Sequence, residues 1–275
     1  MSRKIAQAAR LRRSARRGAG LSGLLVCLLV CLLVCLVAFM PDSARAAGKH
    51  SGKSSGKAVK NAEKAGGDRE LTALLAQVEA TYGRMQSLEC AFKQKSRSGG
   101  RLREGAGTAV FFRPAGTALS GSVIRWEYSA PEVQTVINDG REVRIYTPAA
   151  KQVLVSSGEA LDADLAYALF TGRRRISETF RVDAADPRLH LDPEPKGMRA
   201  MLLTPKEPQS QLQRAQIWVN PEGRIERIVM EDYFEAVTEL TFSDLRFDAI
   251  KADDKARIEA LRTLKTPSGV EVIRQ

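Results

Sequence analysis

Cys90 and His190 are the residue types that a thiol hydrolase needs, a sulfur that attacks and an imidazole that takes its proton. The chain holds four cysteines and two histidines. Cys27, Cys31 and Cys35 belong to the thrice-repeated phrase LLVC, and His50 lies in a Gly/Ser/Lys-rich stretch, so only Cys90 and His190 fall within patterned sequence. Cys90 shares one face of the alternating segment LECAFKQ with Leu88 and Phe92, and a thiol buried among apolar neighbours is inert. His190 sits in PRLHL, which reads as a strand with Leu189 and Leu191 on the opposite face. A Cys-dependent hydrolase therefore stays open only if Cys90 is reachable. No GxSxG, HExxH, CxxC or phosphate-cradling glycine loop occurs. Asp162 and Asp164 open a helical segment, where they suit the macrodipole. The sequence predicts no enzyme, no metal site and no cofactor.

The elements that would position any site are mostly strands. One helix comes first: Asp68 can cap it, and Leu71, Leu74, Leu75, Val78, Tyr82 and Met85 recur at spacings of three and four. The period then becomes two through LECAFKQ, GTAVFF, VIRWEY, EVQTVIN and REVRIYT, with Asp139-Gly140 read as a type I′ hairpin turn, and KQVLVSS follows. A second helical stripe, Leu161, Leu165, Ala168 and Leu169, ends at Gly172. Strands return in ETFRV, PRLHL, RAMLLTP, RAQIWV, RIERIVMED and AVTELTFSDLRF. KADDKARIEALRTLK reads as helix, and SGVEVI as a final short strand. About eleven strands with short turns predict a large antiparallel sheet that curls without closing. The two amphipathic helices fit as a lid over its mouth, above either an apolar cavity or a plain core.

Residues 1–46 have the layout of a cleaved signal peptide: basic residues from Arg3 to Arg17, an apolar run, and Ala44-Arg45-Ala46 as the cleavage site. The run from Leu21 to Met40 is also long enough to span a bilayer uncleaved, and that alternative stays open. Each cysteine in the run follows Val, which is a poor lipid-attachment context. The chain carries a net charge of +11, of which residues 1–46 supply +8 − 1 = +7 and residues 47–67 supply +5 − 1 = +4. Residues 68–275 are thus neutral overall, and nucleic acid is excluded as a partner. The 47–67 stretch reads as a flexible basic linker, and 68–275 as one domain without an internal disulfide.

The ordered pieces SLECAFKQ, GTAVFFRP, RWEYSAP, a DG hairpin with IYTP and KQV, ALFTG, NPEGRIERIVMED and LTFSDLRFD resemble the periplasmic outer-membrane lipoprotein carrier family, LolA. The resemblance runs from about Asp68 to Ile273. It implies an incomplete antiparallel barrel whose apolar cavity is lidded by helices. It also implies a monomeric periplasmic carrier that takes acylated lipoproteins from an inner-membrane ABC transporter to an outer-membrane receptor. By the same resemblance Arg113 is a lid latch bonded to helical backbone. The cavity and lid would be Leu74, Leu75, Val78, Tyr82, Phe92, Val110, Phe112, Ile124, Trp126, Leu165 and Leu169. A regulatory sensor of lipid or lipoprotein on the same fold is the alternative function. The link AGTALSGSVIR, the basic linker and the helix-like 251–265 segment depart from the family pattern.

Overall fold

The computed structural model describes residues 57–114, 121–157, 175–209 and 212–275. Twelve strands form one sheet: β1 (Ser87–Ser98), β2 (Arg101–Phe112), β3 (Val123–Ala130), β4 (Gln134–Asn138), β5 (Glu142–Thr147), β6 (Gln152–Ser157), β7 (Phe180–Ala184), β8 (Arg199–Pro205), β9 (Arg214–Val219), β10 (Ile225–Glu231), β11 (Val237–Phe247) and β12 (Glu271–Arg274). The order is β12-β6-β5-β4-β3-β2-β1-β11-β10-β9-β8-β7, so the sheet is unclosed, with β12 and β7 at its edges. Neighbours pair antiparallel except β12, the expected final short strand, which lies parallel to β6. Among the described residues three α-helices accompany the sheet: α1 (Lys57–Arg84), the single turn α2 (Ile176–Thr179) and α3 (Lys255–Arg262).

Turn chemistry explains the long central hairpin. Gly99 and Gly100 have φ of 54° and 75° between the paired residues Ser98 and Arg101, the positive-φ requirement of a two-residue turn. The Asp139-Gly140 hairpin also forms, but only Gly140 there has positive φ, at 82°. Asp139 instead accepts the Arg141 and Glu142 N–H groups through Oδ1, at 3.0 Å each, and widens the loop beyond type I′.

Helix α1 starts eleven positions before Asp68, so Lys57–Gly67 of the expected linker are helical. Their Ala, Lys and Glu content favours helix strongly enough to carry the turn through Gly66 and Gly67. From Leu74 onward the stripe enters the largest apolar cluster, packing on alternate residues of β1–β3 and β8–β11. We call that face of the sheet inner. The opposite, outer face is covered by α3 with the segment that follows it and by the loop before β8, and Leu264 and Val270 pack on Tyr146, Val153 and Val155. Ile258 and Leu261 of α3 pack on Phe112, Val123 and Ile137. Leu189 packs on Trp218, Val229 and Val237.

PRLHL is not a strand. Its backbone is held by side chains instead of a ladder: Glu239 Oε2 accepts the N–H of Leu191 at 2.7 Å, and Gln216 Nε2 donates to the Leu189 carbonyl at 3.3 Å. Arg227 Nη1 donates to the carbonyls of Asp192 and Pro193 at 3.1 and 2.9 Å, and its Nε lies 3.5 Å from Glu239 Oε1. Both side chains are buried, so this pair fixes the loop before β8 to the outer face.

Candidate functional site

The inner face is apolar where α1 covers it. Leu74, Val78 and Tyr82 are 2, 0 and 4% exposed, and Met85 is buried below them. Opposite stand four rings from β1, β2 and β3. Phe92 meets Trp126 and Tyr128 edge-to-face at 4.9 Å each, and Phe111 meets Trp126 at 5.5 Å. Phe92 and Phe111 are buried, whereas Trp126 and Tyr128 are half-buried at the margin of the cluster. A shallow cleft of about 390 Å³ lies on the other side of the sheet, where Ala91, Lys93, Thr108, Glu127 and Ser243 face away from the rings.

Polar contacts tie α1 down along its edges. Gln77 Nε2 donates to the Pro221 carbonyl at 2.7 Å, and Arg199 Nη2 donates to Gln77 Oε1 at 2.7 Å. Glu79 accepts the Ser177 N–H at 2.9 Å, and the Tyr82 hydroxyl accepts the Ile225 N–H at 2.9 Å. At the helix exit, Arg113 Nη2 donates to the carbonyls of Tyr82, Gly83 and Met85 at 3.3, 2.8 and 2.6 Å. The last carbonyls of a helix lack intrahelical donors and carry the negative end of its dipole, so a guanidinium there satisfies both. Burial pulls this guanidinium below its ordinary pKa, and the Asp248 carboxylate opposes the shift. Asp248 also accepts the Gln86 N–H at 2.7 Å, and the Arg113 N–H donates to the Gln86 carbonyl at 2.8 Å. The turn from α1 into β1 is thus held by three separate groups.

Of the expected cavity and lid residues, Leu74, Val78, Tyr82, Phe92 and Ile124 are buried together in the inner cluster, with Leu75 and Trp126 packed against it. Val110 and Phe112 are not among them. They face outward, under α3, while Ala109 and Phe111 point in. The segment Ala109–Phe112 is apolar at every position because both faces are covered there, and a period-two pattern then loses its phase. Leu165 and Leu169 lie outside the described residues. Phe111 and Tyr128 were missed. Tyr128 is two positions from Trp126 and shares its face by strand alternation, whereas Phe111 lies between Val110 and Phe112, so the expected phase there is off by one and passes over it.

Thiol catalysis finds no support. Cys90 lies within the inner cluster, and burial pushes its thiol up to about 12. His190 follows Leu189, whose cluster holds Trp218, whereas the Cys90 cluster holds the adjacent Ile217; neighbours in a strand face opposite ways. Among the described residues no group of three or more His, Cys, Asp or Glu could hold a metal. None of the described helices is long and apolar enough to cross a membrane.

A protein of Nitrosomonas europaea named outer-membrane lipoprotein carrier protein is 25% identical over 173 residues, spanning 63% of this chain and 74% of its own. One of the same name from Pseudomonas paraeruginosa is 24% identical over 219 residues, 79% of this chain and 92% of that one. Among solved structures, a LolA superfamily protein from Nitrosomonas europaea covers 66% of this chain and 94% of its own at 14% identity, with a TM-score of 0.33. Lipoprotein LppX from Mycobacterium tuberculosis covers 66% and 99% at 11% identity, with a TM-score of 0.34. The family model described as outer membrane lipoprotein carrier protein LolA matches residues 83–255, well over half of the sequence, and the chain therefore belongs to that family.

Proposed function

We propose that the chain is a periplasmic carrier that shields the acyl chains of lipoproteins on its inner face, with α1 as a lid and Arg113 as the latch at the lid's exit. In this reading residues 1–46 are removed after Ala46, the cargo comes from an inner-membrane ABC transporter, and an outer-membrane receptor takes it. The observation that carries the reading is an aromatic-floored apolar face covered by the apolar stripe of an amphipathic helix, with the helix exit held by one guanidinium on three carbonyls. Each acyl CH₂ moved out of water contributes ~0.8 kcal/mol, so a chain of about 16 carbons needs roughly 12 kcal/mol of apolar surface. α1 occupies that surface when no cargo is bound. Cargo must displace it, which lowers net affinity and makes release feasible.

A fluorescent fatty acid displaced by an acylated lipoprotein tests this. Micromolar binding is expected for the native chain, and Trp126→Asp, which puts a charge at the margin of the ring cluster, should weaken it about tenfold, or ~1.4 kcal/mol. Binding that ignores Trp126→Asp, or fails to be displaced by lipoprotein, would remove the carrier reading.

A further inference from the structure

The domain is neutral overall, yet one end of its sheet combines positive charge with exposed apolar side chains. The β1–β2 hairpin from Lys93 to Gly105 carries five cations against Glu104, so +5 − 1 = +4. Arg97, Arg101 and Arg103 at its tip are all exposed, and none is in an ion pair among the described residues. Leu102, paired across the hairpin with Arg97, is 56% exposed. Arg97 pairs in turn with Val237, the first residue of β11, which brings the β10–β11 turn to the same level about two strand spacings, or ~10 Å, from Leu102. That turn presents Tyr233 and Phe234, 52 and 70% exposed.

The exposure of the two rings is built. Asp232 Oδ1 accepts the N–H groups of Phe234 and Ala236 at 2.8 and 2.9 Å, the Asp232 N–H donates to the Ala236 carbonyl at 3.0 Å, and Glu235 takes φ of 60° to close the loop. Val133, a fourth exposed apolar residue, lies in the β3–β4 turn on the same rim, set back because β2 pairs with β3 only from Ala106 onward. The fifth large apolar side chain exposed among the described residues, Val272, stands on the edge strand β12, three strands from β4.

We propose that this rim is a docking surface for an anionic lipid bilayer, with Phe234, Tyr233 and Leu102 entering the headgroup region and Arg97, Arg101 and Arg103 meeting lipid phosphates. Protruding turns with apolar tips offer a flat protein partner little continuous surface, but they suit a fluid interface that closes around each tip. Aromatic rings settle at headgroup depth, and arginines beside them gain from the negative surface potential. The orientation leaves α1's exit at the far end: Arg113 follows β2's last residue, while the docking tips lie at its first. The inference is independent of the carrier reading, which fatty-acid displacement tests on the inner face.

The test uses the full chain with Phe234→Trp, mixed with vesicles of phosphatidylethanolamine and phosphatidylglycerol whose acyl chains are brominated. Full chain with Val272→Trp controls for attachment through Leu21–Met40 or by general adsorption. The emission added at position 234 should be quenched by the brominated lipid, the emission added at 272 should not, and neither should be quenched in pure phosphatidylcholine. Replacing Arg97, Arg101 and Arg103 with Ser should weaken the quenching titration roughly fivefold for each arginine removed. The proposal is overturned if position 234 stays unquenched in phosphatidylglycerol vesicles, is quenched equally in phosphatidylcholine, or is quenched no more than position 272.

Discussion

Arg113 and Arg125 perform the same operation on opposite faces of the sheet. Each aims a guanidinium at the carbonyls that end a helix: Arg113 at Tyr82, Gly83 and Met85 of the α1 exit, Arg125 Nη1 at Ala260, Leu261 and Thr263 of the α3 exit. The surroundings differ. Arg125 is also paired with Glu127 at 2.5 Å, and α3 is further tied by Arg262 to the Gly121 carbonyl and by Arg257 to Glu89. This eight-residue helix buries only Ile258 and Leu261, so charge does most of the holding. α1 is the reverse case, with a long apolar stripe in the largest cluster. Apolar contact is non-directional, and an acyl chain can replace it. Ion pairs and carbonyl clamps have no counterpart in a lipid tail. In the proposed carrier reading, the apolar part of the inner cover is what lipid would replace, while the outer cover, held mainly by charge, would stay in place.

The strongest way to break this contrast is to attack the outer face where its charge is most buried. Glu239→Leu leaves Arg227 without its carboxylate and should lower unfolding free energy by about 3–5 kcal/mol in a denaturant titration. A loss below 1 kcal/mol would mean that the outer face is not locked by charge.

Alkali should act from the inside. Burial raises the Cys90 thiol from an ordinary value of 9.0 to about 12, with the Ala109 backbone bond opposing the shift, and burial also raises Tyr82 of α1. A raised acid stabilises the fold fully below its unfolded value, so stability should fall as pH climbs from about 9 towards 12, by roughly 1.4 kcal/mol per unit from one such group. Cys90→Ala should flatten that slope by one proton, measured by denaturation across the alkaline range. An unchanged slope would place Cys90 in contact with water.

The finest test sets the two clamps against each other. Arg113→Leu should speed amide exchange across Leu74–Met85 about tenfold, the equivalent of ~1.4 kcal/mol of local opening, and leave Ile258–Arg262 unchanged. Arg125→Leu should do the opposite. If either substitution loosens both helices, the two faces are one cooperative unit and the contrast fails.

Much of this architecture was legible, for identifiable reasons. Alternation at Leu88, Cys90 and Phe92 and the helical stripe through Tyr82 each stand against polar residues on the other side, so their periods point to one face. Where both faces are covered the same signal loses its phase, as at Val110 and Phe112, which the structure turns outward. PRLHL alternates like a strand, but its backbone partners are Glu239 and Gln216, far along the chain, and no local pattern announces them. The helical start at Lys57 shows intrinsic propensity prevailing over a plausible cap at Asp68. Arg113 came from its place in FFRP and the family likeness. Arg125 and Arg227 resemble any strand arginine until the sheet brings α3 and the 186–193 loop to them.

The sheet's ring cluster also depends on what β2 leaves out. Phe92 pairs with Gly107, and Gly107 pairs with Tyr128, so the rings that touch at 4.9 Å come from strands on either side of a residue with no side chain. A Cβ at Gly107 would lie 2.0 Å from the Glu127 carbonyl oxygen. Even alanine there would force β2 and β3 to part, pulling Phe92 from Tyr128 and splitting the aromatic floor along a seam. Continuity of the greasy surface is thus owed to a single vacant position.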